Sequence, residues 1–252
     1  MKVTRQRIDQ LLVERNLAES REKAKALLIA GLVSVNGQRV DKPGATVDVA
    51  AAIDVKQGMP WVSRGGYKLD GALTEFQIDV SGRVCADVGA STGGFTDCLL
   101  QHGAARVHAI DVGNGQLHYR LRNDPRVVLH EGVNARYLEP ALLGEPVGLV
   151  VCDVSFISVR LILPMLPPLL TPAGEIIVLV KPQFEVGRAQ VGKGGIVRDP
   201  ELHTAVCRDV ERAAQMLGFA TRLMESPVLG AEGNKEFLLY GTDRHSRHHL
   251  EA

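Results

Sequence analysis

From about residue 66 onward, short apolar runs alternate with segments in which apolar residues recur every three or four positions. The first pattern is typical of buried β-strands and the second of amphipathic helices. The expected strands are 83–87, 106–111, 126–130, 147–153, 174–180, 219–225 and 235–240. The expected helices lie near 66–77, 93–102, 115–121, 155–169 and 200–217. This alternation predicts an α/β domain with a doubly wound, mostly parallel sheet.

The first part of the chain has a different pattern. Apolar residues at helical spacing predict two short helices, and Ser20 is suited to cap the second one. Asn36-Gly37 then separates two short β-prone runs, which is a strong signal for a hairpin. Two further apolar runs, at 47–49 and 53–55, follow. These features predict a small α+β domain ahead of the larger one.

The change of pattern predicts two domains joined by a linker. We expect a first domain at 1–58, a linker at 59–63, a second domain at 64–242 and a disordered tail at 243–252. The tail contains three histidines, but their spacing does not define a metal site.

Composition indicates an ordinary globular protein, with 45% hydrophobic and 23% charged residues. The formal net charge is zero, so no overall field attracts nucleic acid. Residues 1–60, however, contain ten Lys/Arg against seven Asp/Glu. This modest excess points to a polyanionic partner for the first domain.

Cysteine spacing and hydropathy exclude other classes. None of the four cysteines lies in a C-x-x-C pair, so we expect no metal, and the pattern suits a reducing cytoplasm. The polar, charged start of the chain is unlike a signal peptide. The most apolar stretch, 147–170, is interrupted by Asp153, Arg160 and three prolines, so we expect no stable association with a membrane.

A glycine-rich segment at 87–97 directly follows the first apolar run of the second domain. Gly89 permits a tight turn there, and Gly93 and Gly94 would let a ligand lie against backbone N–H groups at a helix start. Asp111 ends the next apolar run, about 20 residues later, where an acid can bind ribose hydroxyls. An ordinary strand–helix turn would explain the glycines but not the acid at this distance.

The spacing of these glycines decides between two cofactor classes. Dinucleotide sites use G-x-G-x-x-G, whereas this loop reads G-x-x-x-G-G. A nicotinamide-dependent oxidoreductase is therefore disfavoured. S-adenosylmethionine (SAM) is the expected cofactor.

Several motifs, taken together, resemble one known family. The segments that are similar to the alpha-L RNA-binding motif are Thr4–Asp9, Ser20-Arg21 and Val35–Gly37. The segments that resemble the TlyA (haemolysin A-like) family are Ser63–Leu69, Asp87–Asp97, Cys152–Ser158 and Val180–Glu185. The resemblance covers nearly the whole chain. It implies a Rossmann-like, FtsJ-type methyltransferase domain that follows a small RNA-binding domain.

The same resemblance implies SAM-dependent 2′-O-methylation of cytidine in the RNA of ribosomal subunits. It also implies a catalytic tetrad, for which the matching residues are Lys68, Asp153, Lys181 and Glu236. Asp153 and Lys181 each end an expected strand, at the edge where doubly wound sheets bind ligands. Burying Asp153 unpaired in its apolar run would be costly, which favours a site there. Lys181 would hold the 2′-hydroxyl as an orienting donor or as a general base.

Ligand contacts are expected from two further groups. The expected cofactor-binding residues are Asp87, Gly89, Ser91, Gly93, Gly94, Phe95 and Asp111. The expected RNA-binding residues, which would contact phosphates rather than bases, are Arg5, Arg7, Arg21, Lys23, Lys25 and Arg64. Asp97 is expected to cap or support the helix after the loop. Taken singly, Lys68, Glu236 and the basic residues would also fit a solvated surface.

Two alternative functions follow from the same features. The chain could be a catalytically inactive, ribosome-associated RNA-binding protein, although such a protein has no need of the polar tetrad. The family's older name suggests a membrane-active haemolysin, but no long apolar segment supports it.

Overall fold

A computed structural model describes residues 4–56 and 59–243. Contacts divide the chain into two compact units, Met1–Pro60 and Trp61–Ala252, and each has its own hydrophobic core. Among the described residues, no helix combines the length and apolar content that a bilayer span requires. Most of the predicted tail, residues 244–252, lies outside the described ranges.

In its described residues, the first unit contains two helices and two small sheets. Its helices are α1 (Ile8–Glu14) and α2 (Arg21–Ile29). Its strands are β1 (Arg5–Arg7), β2 (Val33–Val35), β3 (Gln38–Arg39), β4 (Thr46–Asp48) and β5 (Ile53–Val55). β1 pairs with β4, and β2 lies between β3 and β5; all of these pairs are antiparallel.

Two local predictions for this unit are confirmed. The Ser20 side chain accepts a hydrogen bond from the backbone N–H of Lys23 and so caps α2. β2 and β3 form the hairpin expected around Asn36-Gly37, and both of these residues have positive φ, at 49° and 78°. Positive φ at both central residues is the requirement of a type I′ hairpin turn, which explains the Asn-Gly pair.

Between residues 61 and 243, the second unit contains one seven-stranded sheet. Its strands are β6 (Val84–Val88), β7 (Arg106–Ile110), β8 (Val127–His130), β9 (Val147–Cys152), β10 (Leu170–Val180), β11 (Phe219–Glu225) and β12 (Phe237–Asp243). Their order is β11-β12-β10-β9-β6-β7-β8. The five strands from β10 to β8 are parallel, whereas β12 is antiparallel to both of its neighbours. The mostly parallel, doubly wound sheet is thus confirmed.

Helices and turns cover both faces of this sheet. The helices are α3 (Gly65–Phe76), α4 (Gly94–Gln101), α5 (Tyr119–Arg122), α6 (Pro182–Glu185) and α7 (Pro200–Met216). Apolar side chains of α3 and α4 pack in one core cluster, and those of α7 pack in another. The sheet therefore lies between two apolar layers, as its near-continuous hydrophobic strands require.

Two helix predictions were wrong. The segment 155–169 contains three single 3₁₀ turns, at Val159–Leu161, Leu163–Met165 and Pro167–Leu169, instead of a helix. Its three prolines lack the N–H that a helix interior needs and clash with the preceding turn, yet Leu163, Leu166 and Leu169 are still buried. The helix predicted at 115–121 is only the short α5.

The strand order places several predicted residues at one edge of the sheet. β6 is central, with β7 on one side and β9 on the other, so β6 is the point at which the strand order reverses. Gly89, Asp111, Asp153 and Lys181 directly follow β6, β7, β9 and β10. Ligands of doubly wound sheets bind at this kind of edge.

Candidate active site

A first cavity of about 260 Å³ lies at the carboxyl ends of the central strands. Three residues of the expected tetrad line it, namely Lys68, Asp153 and Lys181. The remaining wall comes from the glycine-rich loop, the start of α3 and the segment before β12. The cavity is thus built from segments distant in sequence.

One ion pair in this cavity joins Lys181 and Asp153. The Nζ of Lys181 lies 2.5 Å from the Oδ1 of Asp153 and donates a hydrogen bond of 2.7 Å to the Oγ of Ser155. The Lys181 side chain is only 10% exposed. A buried ammonium is tolerated when its charge is paired and hydrogen-bonded; here Asp153 pairs the charge and Ser155 accepts a hydrogen bond.

A second ion pair joins Lys68 of α3 to Glu236, which directly precedes β12. The Nζ of Lys68 lies 2.5 Å from the Oε2 of Glu236, and the side chains are 10% and 2% exposed. Neither residue is the solvated surface charge that its local sequence also allowed. Because each charge would be costly to bury alone, this pair fixes the segment before β12 against α3.

Gly230 separates Glu236 from the cavity. It lines the cavity, and a Cβ built on it would lie 2.0 Å from the Oε1 of Glu236. Only glycine therefore lets the backbone approach this carboxylate so closely. All four residues of the expected tetrad lie in or directly behind the wall of one cavity.

A second cavity, of about 440 Å³, adjoins the first. Gly89, Ser91, Asp153 and Ser155 line both cavities. Asp111 lies in the second one, where its Oδ2 accepts from the N–H of Ser91 and its Oδ1 from that of Gly113, each at 2.7 Å. Each carboxylate oxygen has a second lone pair for a ligand hydroxyl.

The side chains around Asp111 suit a flat, apolar ligand group. Ile110, Val112, Val133 and Ile162 contribute to the wall of the second cavity. Together the two cavities can hold an elongated ligand with a hydroxyl-bearing part beside Asp111 and a reacting part beside Lys181.

The glycine-rich loop passes close to the strand end that carries Asp153. Gly89 has a φ of 87°, and a Cβ there would lie 2.4 Å from the backbone oxygen of Asp153. Gly93 has a φ of 99° and precedes the first residue of α4. Both positions combine a left-handed backbone with close neighbours, which glycine alone accommodates.

Comparison with known families agrees with this geometry. A model of the FtsJ-like methyltransferases matches residues 61–242, and a model of the S4 domain matches residues 6–53. The protein YqxC of Bacillus subtilis (strain 168) is 50% identical over 241 residues, which is 94% of this chain and 85% of YqxC. The chain belongs to the TlyA family.

Two further relatives illustrate this family. The 16S/23S rRNA (cytidine-2′-O)-methyltransferase TlyA of Mycobacterium tuberculosis (strain ATCC 25618 / H37Rv) is 49% identical over 239 residues, covering 94% of this chain and 89% of that one. A solved structure of a hemolysin-named protein from Streptococcus thermophilus has a TM-score of 0.73 and 44% identity, covering 96% and 89% of the two chains. The expected family and fold are thus confirmed.

The structure of this TlyA-family chain gives different surroundings to the predicted cofactor residues. Those that line one or both cavities are Gly89, Ser91, Gly94, Phe95 and Asp111. Gly93 packs against α5 instead, since a Cβ there would lie 2.3 Å from the side chain of Leu121. Asp87 lines neither cavity.

Asp87 is a buried carboxyl beneath the loop. Its Oδ2 accepts from the N–H and the hydroxyl of Thr96, whereas its Oδ1 has no hydrogen-bond partner among the described residues. Burial raises the pKa of Asp87 to about 7, and the bonds from Thr96 only partly oppose this. Asp87 therefore positions the loop and α4 by way of Thr96.

Asp97 supports α4, as expected. It accepts from the backbone N–H of Val62 at 2.8 Å and forms an ion pair with Arg120 at 2.8 Å. Residues 61–63, predicted as linker, thus pack within the second unit.

The basic residues predicted to contact RNA have several local roles. Arg7 and Arg21 each lie 3.0 Å from Asp9, a fully buried carboxylate, while their side chains stay nearly half exposed. The nearby Arg7 guanidinium holds the pKa of Asp9 well below its usual range. Arg5 donates to the backbone oxygen of Thr46.

The other predicted RNA contacts are less constrained. Lys23 is exposed on α2, and Lys25 is half-buried. Arg64 belongs to the second unit and lines the first cavity, next to the start of α3. Contact with RNA stays a prediction for all six residues.

Sequence analysis missed two residues of this site. Ser155 lies two positions after Asp153, and only the bond to Lys181 shows its importance. Gly230 has no local signal, since its requirement for glycine arises from Glu236 folding back against it.

Proposed function

We propose that this protein transfers a methyl group from SAM to the ribose 2′-oxygen of cytidine in ribosomal RNA. The observation that carries the proposal is the pair of ammonium–carboxylate contacts at one cavity, Lys181–Asp153 and Lys68–Glu236. The second cavity adjoins them directly. Membership in a family with rRNA 2′-O-methyltransferases supports the same reaction.

The second cavity fits SAM. Asp111 would bind the ribose hydroxyls of the adenosine, and Ile110, Val112 and Ile162 would contact the base. The chain of the methionine moiety would run past Gly89 into the first cavity. SAM supplies an electrophilic methyl carbon, whose bond to sulfur breaks as a bond to the 2′-oxygen forms, leaving a neutral thioether.

The role of Lys181 follows from its contacts. Lys181 donates a hydrogen bond to Ser155 and pairs its charge with Asp153, so an N–H group is left for the 2′-oxygen. This favours Lys181 as an orienting donor over a general base. The hydroxyl proton would leave through the adjacent Asp153 carboxylate to solvent. Alignment of the attacking oxygen in a cavity this polar would supply much of the acceleration.

Lys68 and Glu236 would hold the opposite wall. Their buried pair fixes Gly230, which leaves room for the target ribose. We assign RNA docking to the S4 domain, through phosphate contacts by Arg5, Lys23 and their neighbours. Ribosomal subunits in the cytoplasm would be the substrates.

Incubation with methyl-labelled SAM and ribosomal subunits that lack the modification tests this proposal. We expect label in the RNA fraction, at one or a few positions. Heat-denatured protein in the same mixture is the control. Binding to subunits without any label in RNA would instead support the inactive RNA-binding protein.

A further inference from the structure

Outside the active site, three side chains with different metal-binding atoms meet between α3 and α4. They are Asp70 of α3, Cys98 of α4 and His102 at the end of α4. One ligand atom from each lies within 4.8 Å of the others. Within residues 4–56 and 59–243, no other group of three such residues is this close.

Local structure explains how these side chains converge. Cys98 and His102 are four residues apart, and the N–H of His102 donates to the carbonyl of Cys98, so both lie on one face of the helix. α3 packs against this face and contributes Asp70, whose Oδ1 is 2.8 Å from the Nε2 of His102. The ring of His102 stacks on Trp61, with centroids 6.1 Å apart.

We propose that Asp70, Cys98 and His102 bind a zinc-type divalent cation. Thiolate, imidazole and carboxylate are the three ligand types that zinc accepts, commonly with a water in the fourth position. Tetrahedral bonds of about 2.0–2.3 Å place ligand atoms roughly 3.5 Å apart. The three ligand atoms here lie within 4.8 Å of one another. Calcium and magnesium prefer oxygen ligands, so the sulfur of Cys98 and the nitrogen of His102 make binding of either ion unfavourable.

The burial of the three residues fits an open site at the surface. Cys98 is fully buried beneath the other two, whereas the His102 and Asp70 side chains are 37% and 41% exposed. The exposed side leaves a position for water. Burial, with a smaller contribution from Asp70, raises the pKa of the Cys98 thiol, so the cation would displace the thiol proton on binding.

Such a cation would connect the two helices whose first turns line the first cavity. Gly65 begins α3, Gly94 begins α4, and both lie in that wall. The role we assign is structural, and it does not depend on the reaction proposed above. Cysteine spacing along the sequence predicted no metal, because no cysteine pair has zinc spacing; here the three ligands come from two helices.

Cobalt spectroscopy of the reduced, metal-free full-length protein tests this site. Titration with Co²⁺ should produce a thiolate-to-cobalt charge-transfer band and tetrahedral d–d bands, and Zn²⁺ should displace them. The three tail histidines (His245, His248 and His249) can bind metal but supply no thiolate, so their replacement by alanine should leave the band intact. Absence of a thiolate band would overturn the proposal.

Single variants identify the ligands. Cys98→Ala should abolish the thiolate band, and His102→Ala and Asp70→Asn should each weaken Zn²⁺ binding about tenfold or more. His102 and Asp70 are partly exposed, so their variants should fold. Their Zn²⁺ affinities therefore test the site even if Cys98→Ala fails to fold. Unchanged Zn²⁺ affinity in both would contradict the site.

Cys207→Ala is the matched control. Cys207 is also a buried cysteine four residues from a histidine, His203 of α7, but in the described part of the chain no acid completes a group of three with them. This variant should keep the full cobalt spectrum. A band lost with Cys207 rather than Cys98 would refute our assignment.

Discussion

The individual residues of the active site differ in how far the sequence predicts their surroundings. Asp111, Asp153 and Lys181 could be predicted because each ends an apolar run, and parallel strands place such ends at one edge. The contact between Lys68 and Glu236 spans 168 positions, and no periodicity reports it. Only the family resemblance grouped these two with the others, and their burial explains why they pair.

At this scale, replacing Asp111 tests the cofactor assignment. Asp111→Ala should weaken SAM binding by about 1–3 kcal/mol, because the ribose hydroxyls and the N–H groups of Ser91 and Gly113 lose their acceptor. Calorimetric titration of SAM measures this. Asp79→Ala is the matched control, since Asp79 accepts from the N–H of Ser81 in a similar turn. Equal SAM affinity of Asp111→Ala and wild type would contradict the ribose contact.

At the scale of elements, chain-breaking residues explain both agreement and error. The Asn-Gly hairpin and the Ser20 cap depend on local stereochemistry, so the sequence predicts them well. The segment 155–169 has the apolar content of a buried helix, but its prolines divide it into 3₁₀ turns. Three of its four leucines are buried although no helix forms, so hydropathy alone could not distinguish the two conformations.

The loop between β6 and α4 allows a direct test of close packing. Gly89→Ala should destabilise the protein by about 1–3 kcal/mol beyond the strain of its backbone, because the new Cβ would lie 2.4 Å from the Asp153 oxygen. It should also weaken SAM binding. Gly82→Ala is the control, since Gly82 has a φ of 70° but, in the described part of the chain, no atom lies within 4 Å of its added Cβ. Denaturant unfolding measures both variants. An equal decrease in the free energy of unfolding for the two would argue against this tight contact.

Asp9 links β1, α1 and α2, and it should make the first unit sensitive to acid. Hydrogen bonds from Arg7, then from Arg21, lower its pKa below the unfolded value of about 4. The stability it contributes is therefore complete above about pH 4 and is lost as the pH falls further. NMR signals of residues 4–56 should report this loss on acid titration. Asp9→Asn should lower stability at neutral pH and flatten the acid dependence; an unchanged profile would exclude this role.

At the scale of the whole molecule, the two units should have separable tasks. Each has its own core, so deletion of residues 1–58 should leave the second unit folded and able to bind SAM. Methylation of ribosomal subunits should fall strongly, because the phosphate contacts that we propose for the S4 domain would be lost. Circular dichroism, SAM titration and a methylation assay on the truncated protein check these outcomes. Full activity on subunits would show that the first unit is dispensable.

The cluster between α3 and α4 shows what the sequence could not supply at this scale. Cys98 and His102 have helical spacing, but Asp70 joins them only because two helices pack side by side. The same holds for the active site, where α3, three strand ends and the segment before β12 meet. Local patterns predicted the segments, and the packing of distant segments produced the sites.

Mass-spectrometric mapping of 2′-O-methyl groups, after incubation of unmodified ribosomal subunits with SAM and protein, tests the central claim most directly. Wild type should produce 2′-O-methylcytidine. Lys181→Ala should do so at least about 100-fold more slowly, with nearly unchanged SAM affinity. Lys235→Ala should match wild type, because Lys235 is exposed and paired with Glu225. Methylation on a base, or full turnover without the Lys181 ammonium, would contradict the account.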